Sequence, residues 1–122
     1  RNDIAKTYLK NLKDLPLDFQ KIENGNISSY HLFIIKLKFT NKKINQTKLY
    51  NFLKKNKIET NLHYFPIHLQ PFYGNIGFKK NEYINSENYS STVLSIPIYY
   101  SLELKTQMKI IKIIRKFFKY NN

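Results

Sequence analysis

Several residue types are missing or scarce in this chain of 122 residues, and each absence excludes a class of protein. Cysteine is absent, which excludes a disulfide framework, a thiolate nucleophile and a zinc site built on cysteine. The three glycines form no glycine-rich phosphate-binding loop, and the eight acids include no pair placed for acid–base catalysis. No apolar run approaches the ~18 residues of a membrane span, and no signal peptide opens the chain. We therefore expect a cytoplasmic protein that has no membrane partner.

Acidic residues are outnumbered by basic ones, 8 against 21, and the formal net charge is +13. Clustered positive charge favours nucleic acid or another polyanion as a partner. However, only Arg1 and Arg115 are arginines, and arginine is the residue that clamps phosphates and reads bases. The abundant lysine, asparagine, isoleucine, tyrosine and phenylalanine are typical of an AT-rich genome. Solvated surface lysines explain this charge better than a polyanion site, so we expect no nucleic-acid partner.

Apolar spacing predicts the helices. Residues 3–13 and 102–120 carry apolar side chains at helical intervals, and five lysines of the second segment lie on another face. Asn45 is the predicted N-cap of a helix that carries Leu49 and Phe52. Residues 83–91 are read either as a short helix or as irregular chain.

Apolar alternation predicts the strands. They cover residues 30–39, 59–65 and 92–98. Pro97 places the end of the last strand at a sheet edge, and residues 16–26 and 73–82 are read as turns and loops. One small α+β domain is predicted, with a short, mostly antiparallel sheet and helices packed on it.

Residues 61–73 hold the densest set of aromatic and hydrogen-bonding side chains: two histidines, four aromatics, two prolines and two carboxamides. Such a rigid surface suits a sugar or nucleobase pocket. It equally suits a core loop whose polar atoms are satisfied internally. His63 and His68 have neither cysteine nor a neighbouring acid in sequence, so we expect no metal site.

The run Leu62-His63-Tyr64-Phe65-Pro66-Ile67-His68-Leu69-Gln70-Pro71-Phe72-Tyr73 resembles the C-terminal region of one enzyme family. That family is the pyridoxal phosphate (PLP)-dependent sugar aminotransferases of the DegT/DnrJ/EryC1/StrS type. Gly77-Phe78, Ser86-Glu87-Asn88-Tyr89, Ser28-Ser29-Tyr30-His31-Leu32-Phe33 and Ser95-Ile96-Pro97-Ile98-Tyr99 resemble further stretches of it. One stretch departs from the pattern, because Tyr83-Ile84-Asn85-Ser86-Glu87 replaces an "FPxAE"-like sequence.

The resemblance implies that residues 1–122 are the small C-terminal domain of an aspartate-aminotransferase-like, type I PLP fold. Members of the family work as homodimers and carry an amino group from glutamate to a nucleotide-linked keto-sugar. For this chain the implied substrate is a UDP-4-keto-6-deoxy-sugar, used for surface polysaccharide or nonulosonic (pseudaminic) acid synthesis. The Ser-x-His-x-x-Lys motif that holds PLP in the large domain is absent from these residues. We therefore expect a downstream piece of a longer enzyme, inactive by itself, and the start at Arg1 fits that expectation.

The resemblance also implies the site residues. His63 and Tyr64 match the family's histidine–aromatic pair at the mouth of the active site. His63 is expected to contact the glutamate carboxylate or the sugar, and Tyr64 to stack on the sugar or hydrogen-bond a hydroxyl. Phe65, His68 and Gln70 are the second choices, with roles in binding and orientation. No catalytic, cofactor-binding or metal-binding residue is expected in this chain.

Two other functions remain open. A small basic module that binds RNA would carry aromatics interleaved with lysines on an exposed sheet face, whereas residues 61–73 contain no lysine or arginine. The second open function is that of a catalytically inactive relative that only dimerises. If the chain is half of a two-domain enzyme, apolar surface is exposed in isolation, and we expect it to aggregate or dimerise.

Overall fold

A three-stranded antiparallel sheet lies at the centre of the fold, in a computed structural model that describes residues 1–121. The strands are ordered β1-β2-β3 and span Leu17–Phe19 (β1), Phe33–Leu37 (β2) and Val93–Ile96 (β3). The helices span Asn2–Leu12 (α1), Gln46–Lys55 (α2), Pro71–Asn75 (α3), Ile84–Thr92 (α4) and Leu104–Asn121 (α5), with a short 3-10 helix at Ile67–Leu69. The predicted α+β architecture is confirmed.

The apolar residues of the sheet alternate in register, which places one face against the helices. Leu17 is opposite Leu37, and Ile35 is opposite Leu94, so the buried positions of β1 and β2 fall on the same side. All four residues of β3 are buried, so its other face is covered as well. Helices α1, α2 and α5 contribute the rest of this core, where Tyr8 of α1 packs on Phe33 with their ring centroids 5.1 Å apart. The opposite face carries no aromatic strand residue within the described sheet.

The predicted helices begin and end close to where their patterns place them. The Asn45 side chain accepts a hydrogen bond from the Lys48 backbone N–H at 3.0 Å, which confirms the predicted cap of α2. In α5 a buried amide, Gln107, donates to the Ile4 carbonyl of α1 at 2.7 Å. The five lysines predicted for one face of α5 are all exposed. No helix within residues 1–121 is long and apolar enough to cross a membrane.

The strand predicted over residues 59–65 is wrong. This segment runs beside β3 but forms a single bridge, in which Asn61 and Ser95 exchange both backbone hydrogen bonds at 3.3 and 2.9 Å. The next ladder positions on β3 cannot pair, since Pro97 has no N–H and the Val93 N–H is bonded to the Tyr89 carbonyl. The Val93 carbonyl is also taken, by the Gln46 side chain.

Two further observations concern the connections. Residues 17–19, read as part of a turn-rich connection, form β1, and three residues are too few for alternation to show. Residues 84–92 form the short helix α4, one of the two alternatives, although none of its side chains is buried. Two of its contacts with the rest of the fold are polar: the Ser90 carbonyl accepts a hydrogen bond from the Gln46 side chain at 2.7 Å, and Glu87 belongs to the site described next.

Candidate functional site

Residues 61–73 are called the aromatic segment below. The segment begins at Asn61, which is bridged to Ser95 of β3, and it ends within α3. Pro66 precedes the 3-10 helix and Pro71 is the first residue of α3, where the missing proline N–H costs nothing. Several large apolar side chains of the segment remain exposed: Leu62, Tyr64, Phe65, Ile67 and Phe72. Such a concentration of exposed apolar surface marks an interaction site.

His63 anchors the first half of the aromatic segment. The residue is 93% buried (7% exposed), and Nε2 lies 2.7 Å from Oγ of Ser95 on β3. Burial lowers the pKa of His63, so the imidazole is neutral at neutral pH. Nδ1 is buried and makes no hydrogen bond to residues 1–121. The neighbouring Tyr64, joined by a cis peptide bond, places its ring edge-on to His63 with centroids 4.7 Å apart.

His68 anchors the second half. Its Nε2 lies 2.9 Å from Oε1 of Glu87 on α4, and the same oxygen accepts the Asn81 backbone N–H at 2.7 Å. The hydrogen bond from His68 is the main cause that lowers the pKa of Glu87, and burial opposes it. The Asn81 hydrogen bond and the charges of His68 and Lys80 lower this pKa further. The Glu87 carboxylate therefore connects three parts of the fold: α4, the aromatic segment, and the loop that follows α3.

The structure divides the five predicted site residues into two groups. His63 and His68 are buried, and Nε2 of each ring is hydrogen-bonded, to Ser95 and to Glu87 respectively. Tyr64, Phe65 and Gln70 are exposed, as a binding surface requires. The substrate contacts of all five residues stay a prediction.

Sequence reasoning did not assign the anchoring partners Ser95, Glu87 and Asn81. Ser95 and Glu87 stand in stretches that carry the family resemblance, but no spacing rule connects them to a histidine 32 or 19 residues away. The Asn81 contact is made by a backbone amide, which no side-chain pattern could reveal.

The residues present do not form a PLP site by themselves. A lysine that forms a Schiff base works as a free amine, and enzymes lower its pKa by burial or a neighbouring cation. All 19 lysines of this chain are exposed. The acids within residues 1–121 are also exposed, except Glu87, which His68 already engages. No group of three or more histidines and acids in the described part of the chain is placed to hold a metal ion.

Comparison with known sequences gives one family and a set of longer relatives. The DegT/DnrJ/EryC1/StrS aminotransferase family matches residues 1–115. An uncharacterized protein of Methanocaldococcus jannaschii is 31% identical over 99% of this chain and 32% of its own length. GDP-perosamine synthase of Vibrio cholerae is 30% identical over 80% of this chain and 26% of its own length. The chain thus spans between a quarter and a third of these relatives.

Comparison with solved structures gives the fold. PseC of Helicobacter pylori, an aminotransferase involved in the biosynthesis of pseudoaminic acid, superposes with a TM-score of 0.81 at 24% identity. The match covers 98% of this chain and 32% of PseC. The PLP and PMP (pyridoxamine phosphate) forms of a sugar aminotransferase of Streptococcus pneumoniae, Spr1654, superpose with TM-scores of 0.85 at 20% identity. The predicted type I PLP fold is confirmed.

Proposed function

The chain belongs to the DegT/DnrJ/EryC1/StrS aminotransferase family, and we propose that it is the C-terminal domain of a PLP-dependent nucleotide-sugar aminotransferase. The complete enzyme transfers an amino group from glutamate to a keto-sugar, and its large domain binds PLP. The family match over residues 1–115 and the roughly threefold greater length of the M. jannaschii relative support this division.

The proposed acceptor is a UDP-4-keto-6-deoxy-sugar. The sequence motifs resemble those of the transaminase that makes UDP-4-amino-4,6-dideoxy-N-acetyl-β-L-altrosamine on the route to pseudaminic acid, and PseC shares the fold. GDP-perosamine synthase carries a different nucleotide in its name, so the assay includes both UDP- and GDP-linked keto-sugars. We further propose that the enzyme is a cytoplasmic homodimer.

One observation carries the proposal: an exposed aromatic surface fixed in place by two buried histidines. Aromatic rings stack on the apolar faces of sugars, and Tyr64 and Gln70 add groups that hydrogen-bond hydroxyls. Tyr64 is 72% exposed and Phe65 lies beside it. The bonds of His63 to Ser95 and of His68 to Glu87 hold this surface, which reduces the entropy lost on binding.

The test uses the complete protein encoded by the reading frame that contains this chain, loaded with PLP and supplied with glutamate. We expect transamination of a UDP-4-keto-6-deoxy-sugar. Tyr64→Ala should raise the sugar KM by about tenfold, because a lost stacking contact and hydroxyl contribute about 1.4 kcal/mol.

Tyr120→Ala is the matched control, because Tyr120 is 69% exposed but lies at the far end of α5. If the two variants had the same KM, Tyr64 would have no part in sugar binding. If the PLP-loaded protein aminated no keto-sugar, the proposed activity itself would be wrong.

The basic surface supports no second proposal. An RNA-binding sheet needs aromatic residues among its lysines, and the sheet face that carries Asp18, Ile34 and Lys36 has no aromatic strand residue within the described sheet. That face is also partly covered, since Val93 and Ser95 on it are buried. The dimerising but inactive relative predicts no transamination, so the same assay separates it from the proposal.

A further inference from the structure

A second aromatic cluster lies beside the aromatic segment and outside the main core. The rings of His68 and Tyr83 lie 4.8 Å apart, those of Phe78 and Tyr83 6.1 Å, and those of Tyr73 and Phe78 5.9 Å. These rings border an open cleft of about 320 Å³. The residues that line it, called the aromatic cleft below, are Ile67, His68, Tyr73, Phe78, Tyr83 and Ser86.

The aromatic cleft is a built structure with a polar edge. Glu87 is an acceptor, so His68 donates through Nε2, and its Nδ1 makes no hydrogen bond to residues 1–121. His68 is 93% buried (7% exposed), which fixes the ring that presents this nitrogen. Ser86 adds an exposed hydroxyl at the same cleft. Apolar ring faces with two hydrogen-bonding groups are the chemistry that recognises a planar heterocycle.

Size and charge restrict the occupant further. A volume of about 320 Å³ lies near the lower limit of ligand pockets, so the cleft takes one small ring system and leaves the rest of a larger ligand outside. Lys79 and Lys80 follow Phe78 directly, and both are exposed. Lys80 is close enough to Glu87 to lower the pKa of that carboxyl. Positive charge therefore lies beside the cleft, although Glu82 is also in this loop and accepts the Lys79 backbone N–H.

We propose that the aromatic cleft binds the base of the nucleotide-sugar, with Lys79 and Lys80 supplying positive charge beside its diphosphate. This inference rests on the proposed function and adds the part of the substrate that the cleft receives. The base stacks on the Tyr83 or Phe78 ring, and Nδ1 of His68 and the Ser86 hydroxyl recognise its edge. The sugar then extends from the cleft toward Tyr64 on the same segment.

The test measures UDP and inorganic pyrophosphate binding to the complete PLP-loaded protein. Tyr83→Leu removes one ring but keeps an apolar side chain, and it should raise the Kd for UDP by about tenfold, as expected for a lost base stack. The Kd for pyrophosphate should not change. Tyr89→Leu is the control, because Tyr89 is 44% exposed against 50% for Tyr83 and does not line the cleft.

If Tyr83→Leu does not fold, the Kd for UDP is measured on Phe78→Leu instead. Saturation-transfer NMR on the unaltered protein gives an independent measurement. Strong transfer to the uracil protons of UDP supports the inference. Transfer confined to the ribose, absence of UDP binding, or wild-type UDP affinity in both leucine variants overturns it. Transamination by the unaltered enzyme is scored separately, so the proposed function can stand when the cleft assignment fails, and the reverse.

Discussion

The hydrogen bond between Ser95 and His63 holds the ring that packs against Tyr64. Ser95→Ala removes Oγ and leaves the His63 ring without any hydrogen bond to the described chain, since Nδ1 already lacks a partner. The backbone bonds between Asn61 and Ser95 do not involve this side chain and remain. The substitution therefore isolates a single side-chain contact.

The expected cost follows from burial. Ser95 and His63 are both buried, so water cannot replace the missing partner. Leaving a buried polar nitrogen unpaired costs about 1–3 kcal/mol, against a total unfolding free energy of about 5–15 kcal/mol for a domain of this size. Ser95→Ala should therefore lower the free energy of unfolding by about 2 kcal/mol.

Urea denaturation of the chain measures this cost, at two protein concentrations because association would shift the midpoint. Ser101→Ala is the control, since Ser101 is exposed and its side chain makes no hydrogen bond within residues 1–121. The double variant His63→Phe with Ser95→Ala should recover part of the loss, because both polar partners are then gone. A Ser95→Ala chain within about 0.5 kcal/mol of the unaltered protein would refute the reasoning.

The remaining predictions concern pH and association. Burial lowers the pKa of His63 below its ordinary 6.5, so the unfolded chain binds this proton first as the pH falls. The stability that is present above pH 6.5 is therefore lost below it. In denaturant titrations, the free energy of unfolding of His63→Phe should decrease less between pH 7 and pH 5 than that of the unaltered protein. If the variant lost as much stability between pH 7 and pH 5 as the unaltered protein, His63 would be excluded as the source of the pH dependence. The exposed Tyr64 and Phe65 should make the isolated chain associate, with a sedimentation coefficient that rises with concentration. Phe65→Ser should reduce that rise, whereas a monomer at high concentration would contradict the exposed-interface reading.

Elements that carry their own periodicity could be predicted from the sequence. Helix α5 buries Ile110, Ile114 and Phe117 on one face, and this spacing alone identifies it. Strand β2 alternates for the same reason, although its ends at residues 33 and 37 depend on how long its neighbours are. The prediction for residues 59–65 failed because strand formation there depends on β3. Pro97 and the end of α4 leave β3 a single position at which residues 59–65 can pair. The alternation of apolar residues within 59–65 carries no information about that limit.

The candidate site shows the same limit at the level of single side chains. Composition identified residues 61–73 as a surface rich in rings and hydrogen-bonding groups, but it treated the histidines and the exposed aromatics as one set. Folding separates them, because β3 and α4 bring Ser95 and Glu87 to the two histidines and so bury both rings. The aromatic side chains Tyr64, Phe65 and Phe72 stay exposed, and the two polar contacts hold the segment that carries them. A change at Ser95 or Glu87, neither of which was a predicted site residue, should therefore alter substrate binding by moving Tyr64 or the aromatic cleft.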